Sequence, residues 1–428
     1  MKKAKINNYF IILQNILIIL YPYLLSKKGN TSRVSGTLLL VIISLIYLIF
    51  AKNKIQFNKK IAIGGLGYML FMTISMFTLK SDFSYEKFKM YERTMVYLLF
   101  GFSITQIDID ERIYKYILIM FSFLSFFPIY RGLKEWAGND FSPVMRLFGD
   151  NWPTKFPVEL GLFLLVSMIV LLYKYKILIK ILAGISIILG FVVILGTQTR
   201  IMIVLIPLIF IIALVINKNK KLLIISCFTL ILGLVVTFSI LSPYFQRFKE
   251  GNSDGNFSSK IRLLIYKRSI ELTKKSNFLG VGYHNYQAYS LRVPPDFSEY
   301  VHFEPDNLTY KKEIPINDDT IIIYAYTTDN SHNNILDILL TQGIFSLLFY
   351  IYMYLNIFIE LAKKYRNESL KEYRQYYLLG LIVIIYVWIN SFTEVTIYME
   401  KVNQMAFFIF GLGLNKKFSN SSKKINKE

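Results

Sequence analysis

The segment DNSHNN (329–334) places His332 between a long polar stretch and an apolar run, in a chain that has only three histidines. The three residues before it are of helix-capping types, so we expect His332 in the first turn of the helix that follows. The positive end of a helix dipole disfavours imidazolium, and a general base must be neutral near pH 7. The segment therefore indicates either a catalytic base or a histidine that only caps or borders the helix.

Arg200 and Arg262 are the arginines whose positions suggest function. Arg200 ends GTQTR (196–200), a tight turn between two apolar runs, where it is either a snorkelling side chain or a functional cation. Arg262 lies in SSKIRLLIYKRSIELTKK (258–275), which is predicted to be a helix because it lacks Gly and Pro and spaces its apolar residues helically. Tyr266 shares its face at i+4, although an ordinary solvated basic face explains this helix as well.

Two weaker signals accompany these residues. GVG (280–282) is a turn that permits close backbone approach. Glu394, in INSFTEV (389–395), interrupts the end of an apolar segment. A carboxylate at membrane level usually has a partner, and an arginine is the obvious one. On the orientation predicted below, all of these polar sites fall on the outer face of a membrane.

The elements that must position these residues are membrane helices. Hydrophobic residues make up 54% of the 428 residues, the mean hydropathy is +0.43, and the apolar residues come in long blocks. A bilayer core about 30 Å thick requires roughly 20 apolar residues of helix. We predict an all-α polytopic membrane protein with about twelve transmembrane helices. They are expected near 9–25, 36–51, 61–79, 91–107, 112–130, 157–173, 177–196, 201–217, 222–242, 339–362, 375–391 and 403–414.

The distribution of charge sets the predicted orientation. The net charge of +21 is carried by short basic segments between apolar blocks, such as KNKIQFNKK (52–60), rather than by one basic domain. This pattern is typical of cytoplasmic loops and argues against nucleic acid as a partner. We therefore predict both termini inside and one large extracytoplasmic loop before the tenth helix. The predicted segments are helices 1–9 (1–242), the large loop (243–331), helices 10–12 (332–414) and a basic cytoplasmic tail (415–428).

Neither a metal nor a cofactor is predicted. The single cysteine, Cys227, lies in an apolar block. The acidic residues lack the spacing of a Ca²⁺ or Zn²⁺ site.

A transporter such as a polysaccharide flippase is the alternative from another class of protein. A transporter should keep charged residues inside its helices around a central cavity. Apart from Lys180, the predicted helices are almost free of charge, which favours chemistry at the membrane surface. A membrane anchor without activity is a third interpretation, and it leaves the arginines and His332 unexplained.

Four parts of the chain carry a family resemblance. They are MRLFGDNWPTKFP (145–157), TQTR (197–200), IRLLIYKRSI (261–270) followed by FLGVGYHNY (278–286), and HNNILDILLTQGIFSLL (332–348). Together they resemble the O-antigen ligase and Wzy-type polysaccharide polymerase superfamily. Arg200 matches the arginine after the family's seventh helix, Arg262 the arginine of its large loop, and His332 its loop-end histidine. Tyr266 stands where an aromatic residue, often Trp, is usual.

The resemblance implies metal-independent glycosyl transfer from a polyprenyl-pyrophosphate sugar on the outer leaflet of a bacterial cytoplasmic membrane. Arg200 and Arg262 would stabilise the charge of the pyrophosphate leaving group, and His332 would accept the proton of the attacking sugar hydroxyl. The predicted substrate-binding residues are Arg146, Tyr266, Asn333 and Glu394. The predicted partners are the polyprenyl-pyrophosphate-linked oligosaccharide, membrane lipid, and flippase and chain-length regulator proteins.

The motifs do not separate a polymerase, which joins lipid-linked repeat units, from a ligase, which moves finished glycan to another acceptor. The Lys-, Asn- and Ile-rich composition is typical of low-GC genomes, common among capsule-making Gram-positive bacteria, which lack lipid A. The composition therefore favours a polymerase of capsule, exopolysaccharide or O-antigen, with a ligase as the alternative.

Overall fold

The computed structural model of the protein describes residues 2–27, 31–51, 58–77, 85–142, 146–149, 154–218, 254–283, 291–292, 310–316, 319–326 and 330–415. The helices in these ranges are α1 (Lys2–Ser26), α2 (Thr31–Ala51), α3 (Lys59–Phe77), α4 (Tyr85–Gln106), α5 (Glu111–Leu124), α6 (Phe126–Ala137), α7 (Lys155–Leu172), α8 (Ile177–Gly196), α9 (Arg200–Ile216), α10 (Asp254–Lys275), α11 (Asn334–Asn367), α12 (Lys371–Ser391) and α13 (Glu400–Leu414). A short 3₁₀ helix (Thr396–Tyr398) lies between α12 and α13.

The described membrane part is helical, as predicted, and a small antiparallel sheet lies between α10 and α11 in the chain. Its strands are β1 (Leu291–Arg292), β2 (Tyr310–Ile316) and β3 (Asp319–Tyr326), in the order β1–β3–β2. The sheet is confined to the segment that the sequence assigns to the large loop.

α7 and α13 form the centre of the bundle together with α12, whose residues 375–384 are also buried. Residues 156–170 of α7 and 400–413 of α13 are buried without interruption. In contrast, α8 exposes large apolar side chains, including Leu178 and Ile188. A helix that is buried all round belongs to a core, whereas apolar side chains exposed along a helix are expected where it faces lipid.

Six of the described helical segments are long and apolar enough to cross a bilayer. They are Tyr9–Ser26, Lys59–Phe77, Ile113–Ala137, Lys155–Leu172, Ile177–Gly196 and Asn334–Asn367. Val34–Ile49 and Arg200–Ile216 are shorter apolar helices. The chain is therefore a membrane protein with several candidate spans. The total of twelve stays a prediction, and the ninth predicted helix (222–242) lies outside the described residues.

The predicted fifth helix is divided in the structure into α5 and α6. The division falls at Ser125, whose Oγ donates to the Ser122 carbonyl at 2.5 Å and lies 2.6 Å from Ser186 Oγ. Pro128 follows in the first turn of α6 and cannot donate a backbone hydrogen bond to the preceding turn. The missing donor explains why one apolar run forms two helices.

The helices carry more charge than the sequence prediction allowed. Glu159 of α7 lies 3.2 Å from Lys401 of α13, and Arg93 of α4 lies 2.7 Å from Glu400 of α13. The prediction that the helices are almost free of charge apart from Lys180 is therefore wrong. Neighbouring helices supply opposite charges, and this pairing makes burial of these groups possible. The pairs lie at the start of α13 rather than midway along the bundle, where a transporter would bind its substrate.

Candidate functional site

Glu394 lies between α12 and the 3₁₀ helix and faces two of the predicted catalytic residues. Arg262 Nη2 donates to Glu394 Oε1 at 3.3 Å, and His332 Nδ1 lies 3.7 Å from Glu394 Oε2. The first distance is a long hydrogen bond, and the second exceeds hydrogen-bonding range but keeps the ring within electrostatic reach of the carboxylate. Arg262, Tyr266, His332 and Glu394 are named here the Glu394 cluster, and the end of the bundle that carries it is the site end.

His332 lies before α11 rather than in its first turn. The N-cap residue is Asn333, whose Oδ1 accepts hydrogen bonds from the backbone N–H groups of Ile335 and Leu336 at 2.9 and 3.1 Å. The prediction of a first-turn histidine is therefore wrong, because Asn333 satisfies the first donors of the helix. The charged group beside the imidazole is the Glu394 carboxylate, and Asn333 rather than His332 occupies the helix end.

A tight turn fixes the backbone around His332. The Ser331 N–H donates to Asp337 Oδ1 and the His332 N–H donates to Asn330 Oδ1, both at 3.0 Å. His332 has a φ of 52°, in the left-handed region that residues with side chains adopt rarely. Residues held in such conformations by their surroundings cluster at functional sites.

Tyr266 connects the two loops that contribute His332 and Glu394. Its hydroxyl lies within hydrogen-bonding distance of two backbone carbonyl oxygens, that of Phe392 at 3.2 Å and that of His332 at 3.4 Å. Burial raises the pKa of Tyr266 against the opposing effect of Arg262, so the hydroxyl stays protonated and can donate. Asn333 Nδ2 donates to the same Phe392 carbonyl at 3.4 Å. The substrate-binding roles of Tyr266 and Asn333 stay predictions, and both side chains here hold the backbone of the site.

Two buried polar residues that the sequence prediction missed join the same loops. Asn334 Nδ2 donates to Thr396 Oγ1 at 2.7 Å, and its Oδ1 accepts from the Ile397 N–H at 3.1 Å. Asp337 Oδ2 accepts from the Tyr398 hydroxyl at 2.7 Å. The signal in the sequence was an acidic residue within the apolar run ILDILL, because a buried carboxylate requires partners.

The segment after α10 packs into a break in α11. Gly343 has a φ of 86° and interrupts α11, and three backbone hydrogen bonds of 2.8–3.0 Å link residues 278–282 to residues 340–344. A Cβ on Gly343 would come within 2.4 Å of the Leu279 carbonyl oxygen, and one on Gly280 within 2.8 Å of the Gly343 nitrogen. The predicted close backbone approach of GVG is thus confirmed. Residues 278–282, named here the GVG clip, fix the helix that carries Arg262 against the helix that follows His332.

Arg200 and Arg146 lie together at a second turn. Arg200 is the first residue of α9 and is exposed, and Arg146 Nε donates to the carbonyl of Thr197 in the same turn at 3.1 Å. Gln198 in this turn has a φ of 53°, again in the left-handed region. The structure therefore groups the two arginines that the sequence proposed as anion contacts.

Packing between α9 and α12 brings this turn to the site end. Tyr386 of α12 contacts Met202 of α9, with 3.8 Å between the hydroxyl oxygen and Sδ. Met202 is two residues after Arg200, and Tyr386 lies near the end of the helix that leads to Glu394. The start of α9 and the end of α12 are therefore level. The Arg146–Arg200 turn and the Glu394 cluster lie at the same end of the bundle.

The side chains gathered at the site end suit an anionic substrate. Within the Glu394 cluster, His332 is the candidate proton acceptor. Arg262 and His332 are about one-third exposed, with side-chain values of 34% and 30%. A guanidinium has five N–H donors, and the contact with Glu394 uses Nη2. Among the residues that the structure describes, no group of three or more His, Cys, Asp or Glu residues is arranged to hold a metal ion.

Comparison with known families gives a match over part of the chain. The family model described as O-Antigen ligase matches residues 185–311, and no curated protein matches the chain. The matched range contains Arg200, Arg262 and Tyr266 and ends before His332. It was found independently of the motifs after residue 311, so the two observations support each other. The resemblance is confirmed: the match of residues 185–311 to the model described as O-Antigen ligase supports a relation of the chain to the O-antigen ligase and Wzy-type polymerase superfamily.

Proposed function

We propose that the protein is a polysaccharide polymerase that joins polyprenyl-pyrophosphate-linked oligosaccharide repeat units on the outer leaflet of a bacterial cytoplasmic membrane. The family supports a glycosyltransferase of the ligase or polymerase type. One observation carries the proposal: a single carboxylate, Glu394, lies beside both a partly exposed arginine and a partly exposed histidine. The two groups that the reaction needs, a cation for pyrophosphate and an acceptor for a proton, thus share one site.

The proposed reaction forms one glycosidic bond and breaks one bond to phosphate. A hydroxyl of the acceptor glycan attacks the anomeric carbon of the donor sugar, while the bond from that carbon to the pyrophosphate oxygen breaks. His332 takes the hydroxyl proton, and with Nδ1 towards Glu394 its Nε2 is the atom that accepts. The products are a longer glycan and polyprenyl pyrophosphate, which leaves with the bonding electron pair.

Arg200 and Arg262 act in this mechanism on the leaving group. Negative charge develops on the pyrophosphate as the bond breaks, and planar, permanently charged guanidinium groups suit phosphate oxygens. Arg146 supports the turn of Arg200 and adds a third positive charge nearby. Because arginines supply the charge, the mechanism has no step that requires a metal.

Glu394 stabilises the imidazolium that forms when His332 accepts the proton, and it orients the Arg262 side chain. We therefore propose a positioning role for Glu394 in place of the direct substrate contact predicted from the sequence. The proton acceptor His332 and the leaving-group cation Arg262 then both lie beside the side chain of Glu394.

The distinction between polymerase and ligase can be tested in a strain that lacks the protein. We expect lipid-linked glycans isolated from this strain to consist of single repeat units, because no enzyme would join them. Long lipid-linked chains would instead identify a ligase, since polymerisation would proceed without transfer to the final acceptor. Glycans that remain on the cytoplasmic side of the membrane would identify a flippase. Size analysis of the extracted glycans, with an accessibility assay in intact cells, separates the three outcomes.

A further inference from the structure

A recess of about 500 Å³ lies between α3, α4, α11 and α13, away from the Glu394 cluster. Asn58, directly before α3, Lys364, in the last turn of α11, and Leu414, the last residue of α13, mark one end of it. Lys364 is 30 residues after the start of α11, which corresponds to roughly 45 Å of helix. The recess therefore reaches the end of the bundle opposite the site end, and this end of the recess is named here the mouth.

The walls of the recess are apolar and leave an open position at Gly65. Side chains of Leu66, Met69, Phe102 and Phe410 line it. A Cβ on Gly65 would meet only Met353 Sδ within 4 Å, at the ordinary contact distance of 3.6 Å. The open position is specific to this glycine, as its neighbours in GGLG (64–67) show.

Gly64 and Gly67 leave no space for a side chain, because residues of α11 pack against them. A Cβ on Gly64 would come within 2.8 Å of the Met353 backbone, and one on Gly67 within 2.3 Å of the Phe349 ring. Two glycines of this run therefore let α3 approach α11, whereas Gly65 borders empty space. A slot between membrane helices with an apolar interior suits a hydrocarbon chain.

The mouth of the recess is polar and has an excess of positive charge. Asn58 Nδ2 donates to Glu360 Oε2 at 3.1 Å, and Lys364 Nζ donates to the Leu414 carbonyl at 3.4 Å. Lys59 and Lys60, the first residues of α3, are exposed beside Asn58. The exposed Lys59 and Lys60 thus add positive charge next to an end of the recess that Lys364 and Glu360 line, and basic groups between membrane helices attract anionic lipid headgroups.

We propose that this recess binds one molecule of an anionic phospholipid, with an acyl chain along Gly65 and the phosphate at the lysines of the mouth. The apolar slot and the basic mouth match the two parts of such a lipid. The polyprenyl donor does not fit this pattern, because its pyrophosphate belongs at the Glu394 cluster, about the length of α11 away. The inference goes beyond the proposed function, and its test requires no glycosyl transfer.

The test uses the full chain purified in a mild detergent and measured by native mass spectrometry with dioleoyl phosphatidylglycerol. We expect one tightly retained lipid on the wild type and its loss from Gly65→Leu, whose side chain fills the slot. Gly184→Leu is the matched control, because Gly184 lies within α8 and a Cβ there meets nothing within 4 Å. Lys364→Gln should weaken retention, whereas Lys363→Gln, at an exposed neighbour, should not.

A second measurement guards against misfolding of Gly65→Leu. Added phosphatidylglycerol should raise the melting temperature of the wild type, of Gly65→Ala and of Gly184→Leu, but not that of Gly65→Leu, because a ligand stabilises only a protein that binds it. Equal lipid retention by Gly65→Leu and the wild type would overturn the proposal. So would equal retention of dioleoyl phosphatidylcholine, which carries no net charge, or displacement of the lipid by a polyprenyl phosphate.

Discussion

Two sets of charged residues lie at the site end of the bundle, and they differ in burial and in distance. Lys401 and Glu159 pair at 3.2 Å with side chains 4% and 7% exposed, and Arg93 and Glu400 pair at 2.7 Å. In the Glu394 cluster the corresponding distances are 3.3 and 3.7 Å, and the side chains of Arg262 and His332 are 34% and 30% exposed. The first set is closed, although Arg93 is 20% exposed, whereas in the second set Glu394 is buried (11% exposed) and its two partners are open.

The difference separates charges that hold helices together from charges that are available to a substrate. A buried pair has exchanged water for its partner, so removal of one member leaves an uncompensated charge in the core. A partly exposed pair at long distance contributes less to the stability of the folded protein, so removal of one member costs less stability. Substitution in the buried pairs should therefore lower stability, whereas substitution in the Glu394 cluster should lower activity.

The largest expected effect on activity is that of His332→Ala. Loss of a general base commonly lowers the rate by about 10² to 10⁴. A partly exposed side chain contributes little to folding, typically within about ±0.5 kcal/mol. In a deletion strain, the variant should reach normal membrane abundance by blot and leave only single repeat units on a gel. His302, a histidine of the predicted large loop to which no role is assigned, gives the control variant His302→Ala. Full-length polymer from His332→Ala would remove His332 from the mechanism.

Glu159→Gln and Glu394→Gln test the difference between the buried pairs and the Glu394 cluster most directly. Glu159→Gln leaves Lys401 buried without its anion, and breaking a buried pair costs about 3–5 kcal/mol. Its melting temperature in detergent should fall strongly. Glu394→Gln should melt near the wild type but lose activity by roughly 10- to 100-fold, because an interaction with a charged group contributes about 1.5–3 kcal/mol. If both variants lose stability equally, the Glu394 cluster is a structural element.

Arg262→Lys should lower activity while Arg268→Lys should not. Lysine keeps the charge but loses the planar fork that binds two phosphate oxygens, and we expect a loss of about 10-fold or more. Arg268 lies on the same helix and pairs with Glu271 at 2.9 Å near the surface, so its replacement is a matched control. Initial rates with purified protein and lipid-linked repeat units provide the measurement. Equal rates for the two variants would contradict a role of Arg262 at the leaving group.

Gly343→Ala tests whether the GVG clip positions the open cluster. A residue with a Cβ at this φ is strained by about 1–3 kcal/mol, and the Cβ would also press on the Leu279 carbonyl. We expect a lower melting temperature together with reduced activity. Gly184→Ala, in open space on α8, should change neither. Unchanged activity in Gly343→Ala would show that the clip is not needed to position Arg262.

The smallest expected effect is that of chelation. Purified protein treated with EDTA should lengthen lipid-linked glycan at the rate of the untreated protein, because in the proposed mechanism arginines supply the charge at the leaving group. A strict requirement for added Mg²⁺ or Mn²⁺ would contradict the arginine mechanism. It would also remove the reason for treating the open cluster as the place where pyrophosphate binds.

The motifs predicted which residues to consider, but their geometry depended on contacts across the chain. Arg262, His332 and Glu394 were each singled out by type and position, and the expectation of an arginine near Glu394 agrees with the 3.3 Å contact. The prediction that His332 lies in the first turn was wrong because several residues of DNSHNN are of helix-capping types. Only the fold decides that Asn333 is the N-cap. The buried pairs were missed because Glu159 and Lys401 are far apart in sequence.

The sequence by itself determined that the chain is a helical membrane protein and that its polar chemistry is concentrated in a few short segments. Long apolar blocks and glycine positions are local properties, and local physics is sufficient to interpret them. Only the tertiary structure decided which charges became closed pairs and which remained open. That outcome depends on how α4, α7 and α13 pack and on how the GVG clip sets α10 against α11. Contacts between distant segments are set by packing of the whole bundle, which no single stretch of sequence encodes.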